Sequence, residues 1–232
     1  MSKKIGVIGC GWLGQPLAEE LSKNLSVECF SRENTKDDSS FWKNDIIVIA
    51  INTKDNYLQT LQKIAKLTKP TCNIILMSST SVYREFDKEV DESAEITKPA
   101  LQKEAEDLIL SLKKNVLILR LGGLMGDDRI SGKWKNISTF SDGPVNYIHK
   151  IDVINITKKM IEEGVTCGIY NLVAPMHPLR SEVHKKNSED FGLTLGTFEG
   201  MTKRIVLCDA LVKKLNYSFL YPDPLDMWKQ QS

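Results

Sequence analysis

Hydrophobic positions along this chain follow two alternating rhythms. The runs KKIGVIG, LSVECF, DIIVIAIN (45–52), NIILMSS (73–79) and VLILRL (116–121) are short and apolar almost throughout. They are too short for helices and too uniform for strands with one wet face, so they predict strands buried on both sides. Between them the spacing lengthens to the helical period. In WLGQPLAEELSKN the leucines Leu13, Leu17 and Leu21 share a face, and DNYLQTLQKIAKL and PALQKEAEDLILSLKKN repeat the pattern. Strands and helices in strict alternation predict βαβ units, a parallel sheet covered by helices, and right-handed crossovers.

The rhythm loosens after residue 121. Residues 122–150 are rich in Gly, Ser, Asp and Asn and are expected to form long surface loops. IDVINITKKMIEEG reads as a helix and CGIYNLVA as a strand. PLRSEVHKKNSEDFG reads as a helix opened by proline and closed by glycine, and KRIVLCDALVKKLNY as strand then helix. The tail YPDPLDMWKQQS carries two prolines and is expected to pack as an extended segment. No repeat, low-complexity tract or linker separates the halves.

Composition narrows the classes. With 31 basic against 30 acidic residues the net charge is +1. No charge excess points to nucleic acid or an anionic membrane. No apolar stretch approaches the ~20 residues of a membrane helix, and MSKK leads into glycine-broken sequence rather than a secretory signal. A cytoplasmic protein is expected. The five cysteines form no CxxC pair, so reduced thiols are expected. The three histidines have no ligand spacing with them, so no metal site is expected.

The chemistry begins at KIGVIGCGWLGQPLAEEL, where Gly9, Gly11 and Gly14 form GxGxxG between the first strand and first helix. In that context the first glycine permits a tight turn, the second lets backbone approach a pyrophosphate, and the third lets helix and strand pack closely. The helix N-terminus adds unbonded N–H groups and a positive dipole end. Cofactor contacts are expected from Gly9, Gly11, Trp12, Leu13, Gly14, Ala50 and Ser78. The second strand ends in Ser31 and Arg32. A hydroxyl beside a guanidinium suits the 2′-phosphate of NADP better than the bare ribose diol of NAD; the alternative is that Arg32 is a solvated loop charge.

Taken in order, GCGWLG, SSTSVY, LRLGGLMG, VNYIHKIDV and GIYNLV resemble the extended short-chain dehydrogenases of the NAD-dependent epimerase/dehydratase family, over residues 3–225. The resemblance implies an α/β, Rossmann-type doubly wound parallel sheet with a reduced C-terminal substrate region. It implies one unit over 1–232, with a dinucleotide-binding core at 1–121 and a mixed part at 122–232 that adds substrate loops and one or two further strands. Only residues 31–44 separate the second strand from the third, so the edge strand usual in the family is expected to be missing or short. The adenine pocket would then be shallow and lined by Phe41 and Trp42.

By the same resemblance Ser79, three residues before Val82, orients a substrate hydroxyl or carbonyl. The family's Tyr-x-x-x-Lys proton-transfer pair should follow on the next helix, but Lys98 and Gln102 stand in those places. Lys98, Lys103, Tyr83 and water are therefore the remaining candidate proton donors. Arg120, Gly122, Lys133 and Trp134 are candidate substrate contacts; the alternatives are that Arg120 pairs with an acidic neighbour and that Lys133 and Trp134 lie in a solvated loop. Asp152 and His149 are read as structural, with Asp152 capping its helix, and His177 and His184 as surface residues. The expected activity is that of an NAD(P)-dependent oxidoreductase or epimerase-like enzyme acting on a polar hydroxyl or carbonyl compound, sugar-like in character. NADP(H) is favoured over NAD(H). The partner is a small polar molecule, and the resemblance leaves a homodimer open. The missing Tyr/Lys pair leaves open a non-catalytic dinucleotide sensor or scaffold.

Overall fold

The computed structural model describes residues 3–31, 40–53, 56–133 and 139–228. In chain order the elements are β1 (Lys4–Ile8), α1 (Gly14–Ser22), β2 (Ser26–Phe30), β3 (Ile46–Ile49), α2 (Tyr57–Leu67), β4 (Asn73–Ser79), β5 (Glu89–Val90), α3 (Leu101–Leu112) and β6 (Val116–Leu121). There follow β7 (Gly123–Met125), β8 (Thr139–Asp142), β9 (Tyr147–His149), α4 (Lys150–Glu162), β10 (Gly168–Leu172), α5 (Arg180–Phe191), β11 (Thr197–Met201), β12 (Ile205–Val206) and α6 (Asp209–Leu215).

The main sheet has the order β10-β6-β4-β3-β1-β2. β1 pairs in parallel with both β2 and β3, and β3 with β4. Strand order therefore reverses between β1 and β3, the switch point at which open α/β sheets bind ligands beyond the strands' carboxyl ends. Among the described residues β2 is one of the sheet's two edge strands, β10 being the other, and none lies beyond β2.

The chain divides into two compact units that interleave along the sequence: 1–82, 96–120 and 156–170 in the first, and 83–95, 121–155 and 171–232 in the second. The first unit holds the strands predicted from unbroken apolar runs. Every residue of β3 and β6 is buried. α1 lays Leu17 and Leu21 onto the sheet, and α2 lays Leu61, Ile64 and Ala65. At the C-terminus of α2, Lys113 donates to the Thr68 and Lys69 carbonyls at 2.9 and 3.0 Å, satisfying acceptors the helix leaves open. α3 starts only at Leu101, because Pro99 forces its predecessor out of helical geometry and Ala100 is extended. Phe41 does not line a pocket: it is 2% exposed and packs against Phe30 at 4.9 Å. Trp42 is half-buried beside it.

In the second unit, residues 122–150 are not the long loops expected. They contain β7, β8 and β9, and β9 is fully buried. Met125, Val145, Tyr147, Ala174, Val183 and Met227 form this unit's core. The tail turns at Pro224–Asp226 to bury Pro224 and Met227. Asp152 does not cap its helix but holds the chain before that turn: its fully buried carboxylate accepts from the Tyr217 hydroxyl and the Leu220 and Tyr221 N–H groups at 2.8–3.0 Å. His149 Nδ1 accepts from the Ile151 N–H at 3.2 Å, and its ring lies 3.8 Å from that of Tyr221. His184 is not a surface residue, and His177 is only partly exposed. His177 bonds the Val145 carbonyl at 2.9 Å, and His184 is 3% exposed, edge-on to Phe140.

Burial lowers the pKa of His184 from 6.5 to about 4, with Arg180 adding to the effect and Asp142 opposing it. Between those values the unfolded chain binds more protons. Stability should therefore fall as pH drops from 6.5 towards 4, and be flat in this group's contribution outside that window. His149, also lowered to about 4, acts in the same sense; Asp152, raised by burial, acts in the opposite one. In thermal melts across this range, His184→Phe should lose less stability on acidification than the parent chain. Parallel curves for the two proteins would contradict this account of His184.

Candidate functional site at the carboxyl edge of the first unit

The glycine turn has the geometry its motif requires. Gly9 sits at φ +96°, and a Cβ there would lie 2.6 Å from the Ala50 carbonyl oxygen, so a side chain is excluded by both conformation and space. Gly14 opens α1 directly against the Gly9 carbonyl, where an added Cβ would overlap the oxygen. Gly11 is the opposite case: nothing lies within 4 Å of where its Cβ would be. A glycine that close packing does not demand, between two that it does, leaves room for a ligand's backbone approach. The Gly11 N–H turns back to the Gly9 carbonyl at 2.8 Å, and the Gly9 N–H bonds the Phe30 carbonyl at 3.0 Å, fixing the turn to the end of β2. Leu13 is buried under it, and Ala50, half-buried, faces it from the end of β3. The backbone thus fits a dinucleotide pyrophosphate, which the helix start at Trp12, Leu13 and Gly14 would hold. Ser31 follows β2 directly, while Arg32 lies outside the described residues.

At the end of β4 the hydroxyl row divides its work. Ser78 is 9% exposed and donates to Glu106 Oε1 at 2.6 Å. Arg120 donates to the same carboxylate from Nε at 3.0 Å and from Nη2 at 2.7 Å, with both side chains buried. This bidentate pair ties the ends of β4 and β6 to α3. Arg120 is thereby engaged inside the unit. Burial and the Glu106 charge push the nearby Tyr57 phenol up to about 12. Ser79 Oγ accepts from the Ser81 N–H at 3.1 Å, closing the turn Thr80–Tyr83. Its own proton is used by no other described residue, so it can still donate to a ligand.

The candidate proton donors lie elsewhere. Lys98 precedes α3 instead of standing on it, so the four-residue spacing to Gln102 does not place them on one helical face. Lys103 is paired with Asp107 one turn on, at 2.5 Å. Tyr83, in the second unit, is completely buried and donates to Asn171 Oδ1 at 3.1 Å. Gly122, also in that unit, packs against the Asn146 carbonyl, 2.5 Å from where a Cβ would stand. Lys133 is exposed in a turn, and Trp134 lies outside the described residues.

Sequence reasoning missed Glu106, which organises Ser78 and Arg120. Its trace was an acidic residue at a helical position otherwise facing the core. It also missed the bond between Cys10 and Cys29, where reduced thiols were expected. Residues at the adjoining ends of two parallel neighbours were the available clue.

A parallel sheet with its order reversed at β1/β3 and a GxGxxG turn at that point define a dinucleotide-type α/β fold, shared with solved epimerase/dehydratase and short-chain dehydrogenase structures. No protein-family model matches the sequence. Among curated proteins, Protein YeeZ of Escherichia coli K12 is 28% identical over 270 aligned positions, covering 97% of this chain and 98% of that protein. Three solved structures are similar in fold. UDP-glucuronic acid 4-epimerase from Bacillus cereus in complex with NAD has a TM-score of 0.74 at 15% identity, covering 97% of both chains. A short-chain dehydrogenase/reductase superfamily protein from Agrobacterium tumefaciens with bound NAD has a TM-score of 0.74 at 12% identity, covering 97% of this chain and 94% of that one. Human epimerase family protein SDR39U1 with NADPH has a TM-score of 0.69 at 12% identity, covering 96% of both.

Two substitutions probe this edge. Gly14→Ala should destabilise the protein by about 2 kcal/mol or more in urea unfolding, since neither backbone segment can yield; a neutral effect would contradict the close contact. Glu106→Gln removes one charge from a buried pair and should cost about 3–5 kcal/mol by the same measurement. A loss below about 1 kcal/mol would mean that the pair is solvated.

Proposed function

We propose that this protein binds NADP(H) at the glycine turn and acts as an oxidoreductase or epimerase-like enzyme of the epimerase/dehydratase type. Its substrate is a small polar hydroxyl or carbonyl compound, sugar-like in character, and it works in the cytoplasm, with homodimer formation part of the same reading. The observation that carries it is the open space over Gly11 between two sterically obligatory glycines, at the sheet's switch point. The relatives solved with NAD or NADPH support a nicotinamide dinucleotide as the class of ligand. The preference for NADP rests on Ser31 and Arg32 in the sequence. The bound nicotinamide would supply hydride acceptance or donation. Ser79, with its proton available, would orient the substrate oxygen.

A second reading, a dinucleotide sensor or scaffold without turnover, is favoured by one group of observations. Lys98 stands off the helix, Lys103 is paired with Asp107, and Tyr83 is sealed in a core. A turnover assay over a panel of carbonyl compounds with Ser79→Ala as its control separates the two.

Titration of NADPH and NADH, followed by nicotinamide fluorescence, tests the cofactor. NADPH should bind more tightly than NADH. Gly11→Ala should unfold in urea like the parent, within about 1 kcal/mol, yet lose at least about tenfold in NADPH affinity, or 1.4 kcal/mol. Absence of binding at millimolar NADPH would remove the dinucleotide reading, and tighter NADH would reverse the preference.

A further inference from the structure

The bond between Cys10 and Cys29 plays no part in the proposed function. The two Cα atoms are 6.0 Å apart, within the usual range for a disulfide. Cys10 stands between Gly9 and Gly11 in the turn, and Cys29 lies opposite Val7 in the β1/β2 register, one residue before Phe30. The bridge thus joins the phosphate-type turn to the neighbouring strand, beside the Gly9-to-Phe30 hydrogen bond. Cys10 Sγ lies 3.4 Å from the Val7 carbonyl oxygen and 3.9 Å from that of Phe30, back over the strand ends. The space over Gly11 stays open. The bridge therefore stiffens the turn without filling the space expected for the ligand.

Both cysteines are partly exposed and within reach of a thiol. The buried Cys72 and Cys208 are not: burial pushes their thiols up to about 11, which keeps them protonated and unreactive. In a reducing compartment, disulfides that do form are mostly catalytic or redox-sensing.

We propose that Cys10 and Cys29 form a redox-modification site that sets the dinucleotide affinity of the turn, the disulfide form binding tightly and the dithiol form weakly. The inference rests on the reading of the turn as a dinucleotide site. Its cause is preorganisation: backbone donors held in place by a covalent tie lose less freedom when the pyrophosphate arrives. The reductant is a dithiol. One of its thiolates attacks a bridge sulfur; the Cys10–Cys29 bond breaks, and the displaced sulfur leaves as thiolate and takes a proton. The second thiol then resolves the mixed disulfide, so two electrons and two protons pass to the protein and the reductant departs oxidised. A low-molecular-weight disulfide drives the reverse exchange.

The test titrates NADPH against the parent protein in both forms, each verified by counting free thiols. Reduction with dithiothreitol should weaken NADPH binding about tenfold, inside the usual range of coupling between two sites. By reciprocity, saturating NADPH should make the bridge correspondingly harder to reduce. Cys10→Ser and Cys29→Ser should bind like the reduced parent and ignore dithiothreitol, whereas Cys167→Ser should keep the full response. A merely structural bridge would shift the melting temperature and leave affinity unchanged. Equal affinity in the two forms, or tighter binding by the dithiol, overturns the inference while leaving the cofactor reading intact. No nicotinamide binding in either form overturns both. The parent protein alone decides between these outcomes if a serine variant fails to fold.

Discussion

The contact between the α-carbon of Gly14 and the carbonyl of Gly9 is the constraint on which the first unit depends. It lets α1 start directly on the turn that leaves β1, with no side chain between helix and strand end. That close start aims the helix's first turn over the switch point between β1 and β3. It also brings Leu17 and Leu21 down onto the sheet. The same turn is tied to β2 twice, by the Gly9-to-Phe30 hydrogen bond and by the Cys10–Cys29 bridge. A ligand held by this backbone would be held by a part of the fold with little freedom to move.

The other end of the carboxyl edge is organised by charge instead of close approach. Glu106 on α3 gathers Ser78 from β4 and Arg120 from β6 around one buried carboxylate. Arrangements of this kind contribute less to net stability than their distances suggest, because both charges were drawn from water. What they supply here is definition: the turn carrying Ser79 starts from a strand end locked in place. Of the two readings of Arg120, a pocket residue or a partner of an acidic neighbour, the geometry shows the second, with Glu106 as that partner. Ser79 differs from Ser78, whose proton goes to Glu106, in keeping a proton to donate.

Much of this was legible in the chain. The buried strands were readable because a doubly covered parallel strand must be apolar on both faces, and α1 because Leu13, Leu17 and Leu21 keep the helical period. The GxGxxG turn was readable because its glycines answer to local sterics, which a few residues specify. The histidines of the second half were misread for the complementary reason. Whether His184 meets water or Phe140 depends on a residue 44 positions away in the sequence. Residues 122–150 failed similarly: their polar composition reads as loop, yet β7, β8 and β9 pair within it and with distant chain.

The sequence by itself determined the alternation of strands and helices, the place of the glycine turn and the absence of the usual tyrosine and lysine. These depend on periodicity, on φ, and on residue identity, all local quantities. Only the tertiary structure decided that Glu106 would collect Ser78 and Arg120, that Asp152 would hold the tail's backbone rather than cap its own helix, and that Cys10 would meet Cys29. Each of those depends on which chain segments become neighbours, and pairing across a sheet or onto a helix is not encoded at either partner alone.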